Sequence, residues 1–231
     1  MKKLVVSETF YSLQCEGPHT GYPAVFLRLA GCNLLCKSAT WICDTIEVWQ
    51  KGFPMMNEEV LSEEFIDHLK AGAHLVITGG EPLKQQDGLE EFLQWLRIRK
   101  NCKPFIEVET NGTIVPNPYL FNNVKSWNVS PKLANSGEPY NRRVNEMALD
   151  RLNNNPHSFF KFVVSEPEDA LEIASDYGSM IDFKKTILMP AGATRAELEV
   201  TRPVVVEMAK SMGIRYSDRL HIVIWDKKTG V

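Results

Sequence analysis

The chain is 231 residues long, 44% hydrophobic and 24% charged, which fits one domain, 1–231, with a core of its own. Its formal net charge of −3 lacks the basic excess of a polyanion binder, so nucleic acid is not an expected partner. Arg28 breaks the apolar run from Ala24, and Leu4-Val5-Val6 is too short for a secretory h-region; no membrane partner is expected, and a cytoplasmic location is.

In chain order, the first strand is predicted over 24–30, a short run rich in Val and Phe. A long irregular stretch, 31–56, follows it. Asn57 then precedes Glu58-Glu59 and an apolar series at Val60, Leu61, Phe65, Ile66 and Leu69, which predicts one helix. A strand over 74–78 ends in Gly79-Gly80-Glu81-Pro82, and 89–98 carries apolar residues at helical spacing. A strand over 105–109 runs into Glu109-Thr110-Asn111-Gly112, and one over 126–129 into Ser130-Pro131-Lys132. Another strand, 159–164, precedes a helix from Pro167-Glu168 to Tyr177. The last predicted elements are a strand over 186–189, a helix opened by Thr194 with Glu197 as a capping box, and a strand over 221–225.

Repeated strand–helix units argue for a parallel sheet with right-handed crossovers, open or barrel-shaped. Such sheets place ligands at the carboxyl ends of their strands, where the Gly-Gly-Glu, Thr-Asn-Gly and Ser-Pro-Lys segments all fall.

Five cysteines cannot all pair, and a reducing compartment turns clustered cysteines toward metal or catalysis. Cys32, Cys36 and Cys43 lie within twelve residues of one loop. Thiolates are soft ligands that suit iron–sulfur clusters or zinc. Three of them on a 4Fe-4S cluster leave one iron open. Zinc with Cys15 or His19 as a fourth ligand, or three structural cysteines, remain alternatives on spacing alone. Cys102 lies apart from every motif and is read as structural.

The cysteine loop resembles the radical S-adenosylmethionine (SAM) signature, cysteine-x3-cysteine-x2-cysteine. The first gap matches, while Cys36-x6-Cys43 is four residues longer. An insertion inside a loop costs little closure entropy. Gly79-Gly80-Glu81-Pro82 resembles the motif of those enzymes that binds the amino group of SAM.

Leu13-Gln14-Cys15-Glu16-Gly17-Pro18, then Pro23 to Leu34, Cys43-Asp44-Thr45 and the ending from His221 to Val231 resemble 7-carboxy-7-deazaguanine synthase. That family usually has glycine where Cys15 stands. If the backbone there needs positive φ, Cys costs about 1–2 kcal/mol.

The resemblance implies a partial, modified TIM-type α/β barrel of the radical SAM type, forming homodimers. It implies conversion of 6-carboxy-5,6,7,8-tetrahydropterin into 7-carboxy-7-deazaguanine with loss of ammonia, a lyase step toward queuosine and related deazapurines. A 4Fe-4S cluster, SAM used catalytically, magnesium and an external one-electron donor of the flavodoxin or ferredoxin type come with it. By resemblance, Cys32, Cys36 and Cys43 ligate the cluster and Thr45 magnesium. Leu13, Gln14, Cys15, Glu16, Arg28, Thr78, His221 and Val231 meet the substrate, with Glu16 on the aminopyrimidine edge and Arg28 on the carboxylate. Ile42, Cys43, Asp44, Gly79, Gly80, Glu81, Asn111, Ser130, Pro131 and Lys132 hold SAM. Two further readings stay open: an activase that makes a glycyl radical on a partner protein, and a zinc-stabilised binding module.

Overall fold

The structure is a computed structural model that describes residues 2–38, 42–43, 45–228 and 230. Among the described residues nine strands form one open sheet: β1 (Leu4–Leu13), β2 (Pro23–Leu29), β3 (Phe53–Met55), β4 (His74–Gly79), β5 (Ile106–Thr110), β6 (Ser126–Val129), β7 (Ser158–Val164), β8 (Thr186–Pro190) and β9 (Arg215–Tyr216). Their order is β3-β1-β2-β4-β5-β6-β7-β8-β9. From β2 to β9 every pairing is parallel, while β1 and β3 join antiparallel at one edge. The fold is the expected α/β class, and the sheet curls as an unclosed barrel; its end strands, β3 and β9, are not neighbours.

Both faces of the central strands are covered, as expected for parallel strands. One face packs on the helices through Leu27, Ile77, Phe92, Leu96, Val108, Trp127, Phe160 and Phe162. The other face encloses the interior, where Arg28, Thr78, Glu109, Asn128 and Lys161 stand among apolar residues such as Phe26, Val163 and Met189. Alternation turns Lys161 and Val163 of β7 inward while Phe160 and Phe162 enter the core. At the amino-terminal end of the interior, Glu107 accepts from Asn128 Nδ2 (3.0 Å) and pairs with Nδ1 of His74 (2.6 Å) and of His19 (3.2 Å).

Three sequence expectations change. The helix predicted from Asn57 is two, Asn57–Val60 and Glu63–Lys70, broken because Ser62 caps the second by accepting from Phe65 N–H at 3.2 Å. The strand predicted over 221–225 is a helix, Leu220–Trp225. Its β-branched residues have no pleated neighbour to pack on, and Ile222 is the one buried residue of the helix. Strands β1, β3 and β9 were not predicted: β1 carries Ser7-Glu8-Thr9 mid-strand, and β3 and β9 are three and two residues long.

The proline at position 203 lies inside the helix Arg195–Met212. Among the described residues no helix is long and apolar enough to cross a membrane.

Candidate active site

The carboxyl ends of the strands surround a cavity of about 830 Å³. The cysteine loop forms one wall. Gly31 N–H donates to Trp49 O (2.8 Å), and Leu34 N–H approaches Cys32 Sγ at 3.4 Å. The long second gap resolves itself locally. Lys37 and Ile42 form an antiparallel bridge, and Cys43 N–H donates to Cys36 O at 3.0 Å. The two ends of the longer gap therefore meet, with Cys43 beside Cys36.

All three cysteines are free thiols lining the cavity. Burial pushes the Cys32 thiol up and the Cys36 thiol to about 11; Cys43 adds to both shifts and Cys32 to that of Cys36. Lys132, which also lines the cavity, opposes these shifts. Among the described residues no group of three His, Cys, Asp or Glu converges on one ion. A four-iron cluster instead spreads three thiolates over three irons. Neither proposed fourth zinc ligand turns to the loop: Cys15 Sγ donates to Leu13 O at 3.2 Å, and His19 pairs with Glu107.

The Gly-Gly turn is set by close backbone approach. A Cβ on Gly79, at φ +140°, would meet Leu29 O at 2.1 Å, and one on Gly80 would meet Gly31 O at 2.3 Å. That proximity lets Gly80 N–H reach Leu29 O (3.2 Å) and Glu81 N–H reach Gly31 O (2.9 Å), so the turn braces the root of the cysteine loop. Both glycines line the cavity, and Glu81 does not. Its fully buried carboxylate accepts from Leu83 N–H (2.9 Å), Asn111 N–H (2.8 Å) and Thr110 Oγ1 (2.9 Å). Burial raises this carboxyl against those donors. Asn111 is tied to the loop by donating to Asn33 Oδ1 at 2.9 Å. Ser130 and Lys132 line the cavity with Lys132 Nζ 3.2 Å from Ser130 Oγ, whereas Pro131 does not face it.

Thr45 precedes the helix Ile46–Trp49 without capping it; its hydroxyl lies 3.5 Å from Cys43 Sγ and faces the cavity. Ile42 also lines the cavity.

The opposite wall is charged. Glu16 Oε2 pairs with Lys161, and Glu16 Oε1 lies 3.2 Å from Arg219 Nε and 3.8 Å from His221 Nδ1. Burial alone would raise the Glu16 carboxyl, but Lys161, Arg219 and His221 outweigh it and hold it well below the usual range. Lys161 and Arg219 escaped the sequence reading. A lysine among the apolar residues of 159–164 was the available signal for the first; nothing local marked the second.

Leu13, Cys15, Arg28 and Thr78 also line the cavity. Thr78 Oγ1 donates to Glu109 Oε2 at 2.8 Å, and Arg28 Nε donates to Glu8 Oε1 at 2.7 Å. Gln14 is almost wholly buried, and its Oε1 accepts from Cys15 N–H (2.9 Å) and Glu16 N–H (3.2 Å), shaping the turn. Cys15 does not adopt positive φ; Gly17, at +74°, does, so the thiol carries no backbone strain. Burial, Glu16 and Glu109 push that thiol up to about 12. Cys102 is buried in the core, as expected. Asp44 and Val231 lie outside the described residues.

Residues 16–116 match a family described as a 4Fe-4S single cluster domain. The 7-carboxy-7-deazaguanine synthase of Halobacterium salinarum is 33% identical over 96% of this chain and 91% of its own. That of Pyrobaculum aerophilum is 37% identical over 97% and 96%. The crystal structure of QueE from Escherichia coli superposes with a TM-score of 0.69 and 27% identity, covering 95% of each chain.

Proposed function

The chain belongs to the 7-carboxy-7-deazaguanine synthase family, and on that premise we propose the reaction and the roles of its residues. The protein is a radical SAM lyase that makes 7-carboxy-7-deazaguanine, a step toward queuosine and related deazapurines. Its substrate is 6-carboxy-5,6,7,8-tetrahydropterin, and ammonia is released. The observation that carries this reading is the meeting of three free thiols, a Gly-Gly turn and a charged wall around one cavity.

Cys32, Cys36 and Cys43 would hold the 4Fe-4S cluster, their soft sulfurs suiting iron. The bridge between Lys37 and Ile42 supports this, because it draws the two ends of the longer gap together. Together the bound cluster and SAM supply the one-electron reduction and hydrogen-atom abstraction that start the ring contraction. Gly79 and Gly80 would present backbone to SAM, with Ser130, Lys132, Ile42 and Asn111 beside it. Glu81 serves that end of the site by fixing the Thr110-Asn111 turn rather than by contact. Asp44 and Pro131 remain in the SAM set by resemblance alone.

Thr45 offers magnesium a hard hydroxyl oxygen that does not cap its helix. Glu16 and His221 would take the aminopyrimidine end of the substrate, with Leu13, Cys15 and Thr78 completing the pocket; Val231 remains in the substrate set by resemblance alone. Gln14 acts by holding the backbone of Cys15 and Glu16. Arg28, its Nε given to Glu8, would meet the substrate carboxylate through Nη1 and Nη2. These groups orient the ring and exclude water from a reactive centre. A homodimer, an external flavodoxin- or ferredoxin-type donor and a cytoplasmic location complete the proposal.

Anaerobic incubation with reductant, SAM, magnesium and carboxytetrahydropterin tests it. A product of the mass of 7-carboxy-7-deazaguanine is expected. An intact pterin beside cleaved SAM would favour the activase reading, and one zinc without sulfide the binding module.

A further inference from the structure

We propose that Lys161 is a positioning residue for substrate recognition: with Arg219 it fixes the Glu16 carboxylate to accept from a 2-amino-4-oxopyrimidine edge and to reject a ring carrying oxygen at the 2-position. The inference rests on the pterin reading and adds a residue and a selectivity to it.

Lys161 is 5% exposed and lines the cavity from β7. A buried ammonium is costly unless it is paired. Its partner is Glu16 Oε2, 145 residues away in the chain. The other oxygen, Oε1, is 3.2 Å from Arg219 Nε, and Arg219 is itself anchored by donating to Gly192 O at 2.6 Å. One cation thus stands at each oxygen of the same carboxylate. Each carboxylate oxygen still has a second lone-pair direction.

A 2-amino-4-oxopyrimidine presents a ring N–H and an amino N–H side by side, two donors that match two acceptors. Replacing the amino group by oxygen turns an acceptor toward a carboxylate, which repels it. The other ionisable groups facing the pair are His221, 3.8 Å from Glu16, the carboxylate of Glu109 and the thiol of Cys15. Removing Lys161 takes away the largest attraction opposing burial at Glu16. The carboxyl then titrates higher, and the acceptor form is lost at a higher pH than in the wild type.

The test compares wild type, Lys161→Met, Lys161→Gln and Lys161→Arg as cluster-loaded full-length proteins, with carboxytetrahydropterin and its 2-oxo analogue. Lys161→Met should raise KM for the pterin by roughly 30-fold. It should narrow the discrimination between the two rings and move the acid limb of kcat/KM to higher pH. Iron content and pterin-independent SAM cleavage should match wild type. Lys161→Gln, which keeps a donor but no charge, should behave the same way if the methionine variant does not fold; Lys161→Arg should recover part of the loss. Wild-type KM, discrimination and pH profile in a folded neutral variant would overturn the inference. Failure of the wild type to convert carboxytetrahydropterin would instead overturn the pterin reading on which it rests.

Discussion

The two walls of the cavity are held by different forces. On the cysteine side, β2, β4 and β5 end in turns joined by backbone hydrogen bonds, such as Gly80 N–H to Leu29 O and Ser130 N–H to Thr110 O at 2.7 Å. Side chains bonded to that backbone finish the frame: the Glu81 carboxylate accepts from Asn111 N–H, Lys84 Nζ donates to Cys32 O at 3.1 Å, Asn33 Nδ2 donates to Thr113 Oγ1 at 2.7 Å and Asn111 to Asn33. On the opposite side, Glu16, Lys161 and Arg219 come from three distant segments and meet as ions. A wall for a sulfur-bound cluster needs a fixed backbone. A wall for a polar ring needs charges set before the ring arrives, because their reorganisation would otherwise be charged to binding.

The difference gives separable mutational outcomes, the largest on the cysteine side. Cys32→Ala should abolish turnover, because the three-sulfur seat is lost. The thermal midpoint of the iron-free protein should move little, by about 1 kcal/mol or less in stability. Iron and sulfide counts beside thermal melts check this. Glu16→Ala should do the reverse: iron content unchanged, and stability lowered by about 3–5 kcal/mol because two buried cations lose their partner. In a chain of this size that is a fall of roughly 6–20 °C in Tm. If Glu16→Ala lost iron as fully as Cys32→Ala, the walls would be one unit and the comparison would fail.

A smaller effect should appear with acid at the amino-terminal end of the interior. Burial raises the Glu107 carboxyl, but hydrogen bonds from His19, His74 and Asn128 and the His19 charge prevail and lower it below 4.5. A depressed carboxyl adds stability above its unfolded pKa and loses it as pH falls through the folded value. Glu107→Gln should therefore be the less stable protein at neutral pH. Its stability should fall less steeply below about pH 4.5. Urea unfolding across that range distinguishes the two slopes, and parallel slopes would refute this linkage.

The same contrast decides what the sequence could disclose. The cysteine wall is made of contiguous pieces, 31–38, 42–43, 79–81 and 110–112, which follow or close strands whose apolar runs are plain. Local pattern and local structure coincide there, and Cys32, Gly80 and Lys132 line one cavity. The charged wall is long-range: Glu16 meets Lys161 and Arg219 at separations of 145 and 203 residues, which no spacing rule reports. The helix Leu220–Trp225 was missed for a related reason. His-Ile-Val-Ile-Trp has strand composition, but the segment pairs with no strand and forms a helix instead. Glu81 was read as facing SAM because its motif does; burial of its carboxylate under Thr110 and Asn111 is a packing fact.

The smallest predicted effect concerns the segment that closes the charged wall. Asp226 ends the helix Leu220–Trp225 at φ 58° and ψ −124°, a conformation that suits glycine. Its carboxylate accepts from Arg195 N–H at 3.0 Å, while Arg195 Nε and Nη2 donate to Val223 O (3.0 Å) and Ile224 O (2.6 Å). The clasp holds Asp226, Lys227, Lys228 and Gly230 along the cavity. Strain of about 1–2 kcal/mol is tolerated there because the surroundings over-determine the residue. Asp226→Gly should leave Tm nearly unchanged, since relief of strain offsets the lost acceptor. Asp226→Ala keeps the strain, loses the acceptor and should be less stable by about 1–2 kcal/mol. Both should speed amide exchange at Lys227 and Lys228 and raise the pterin KM by roughly threefold, with kcat unmoved, because the segment shapes the pocket without touching the cysteine wall. Equal stability of the glycine and alanine variants would show that the backbone there is unstrained.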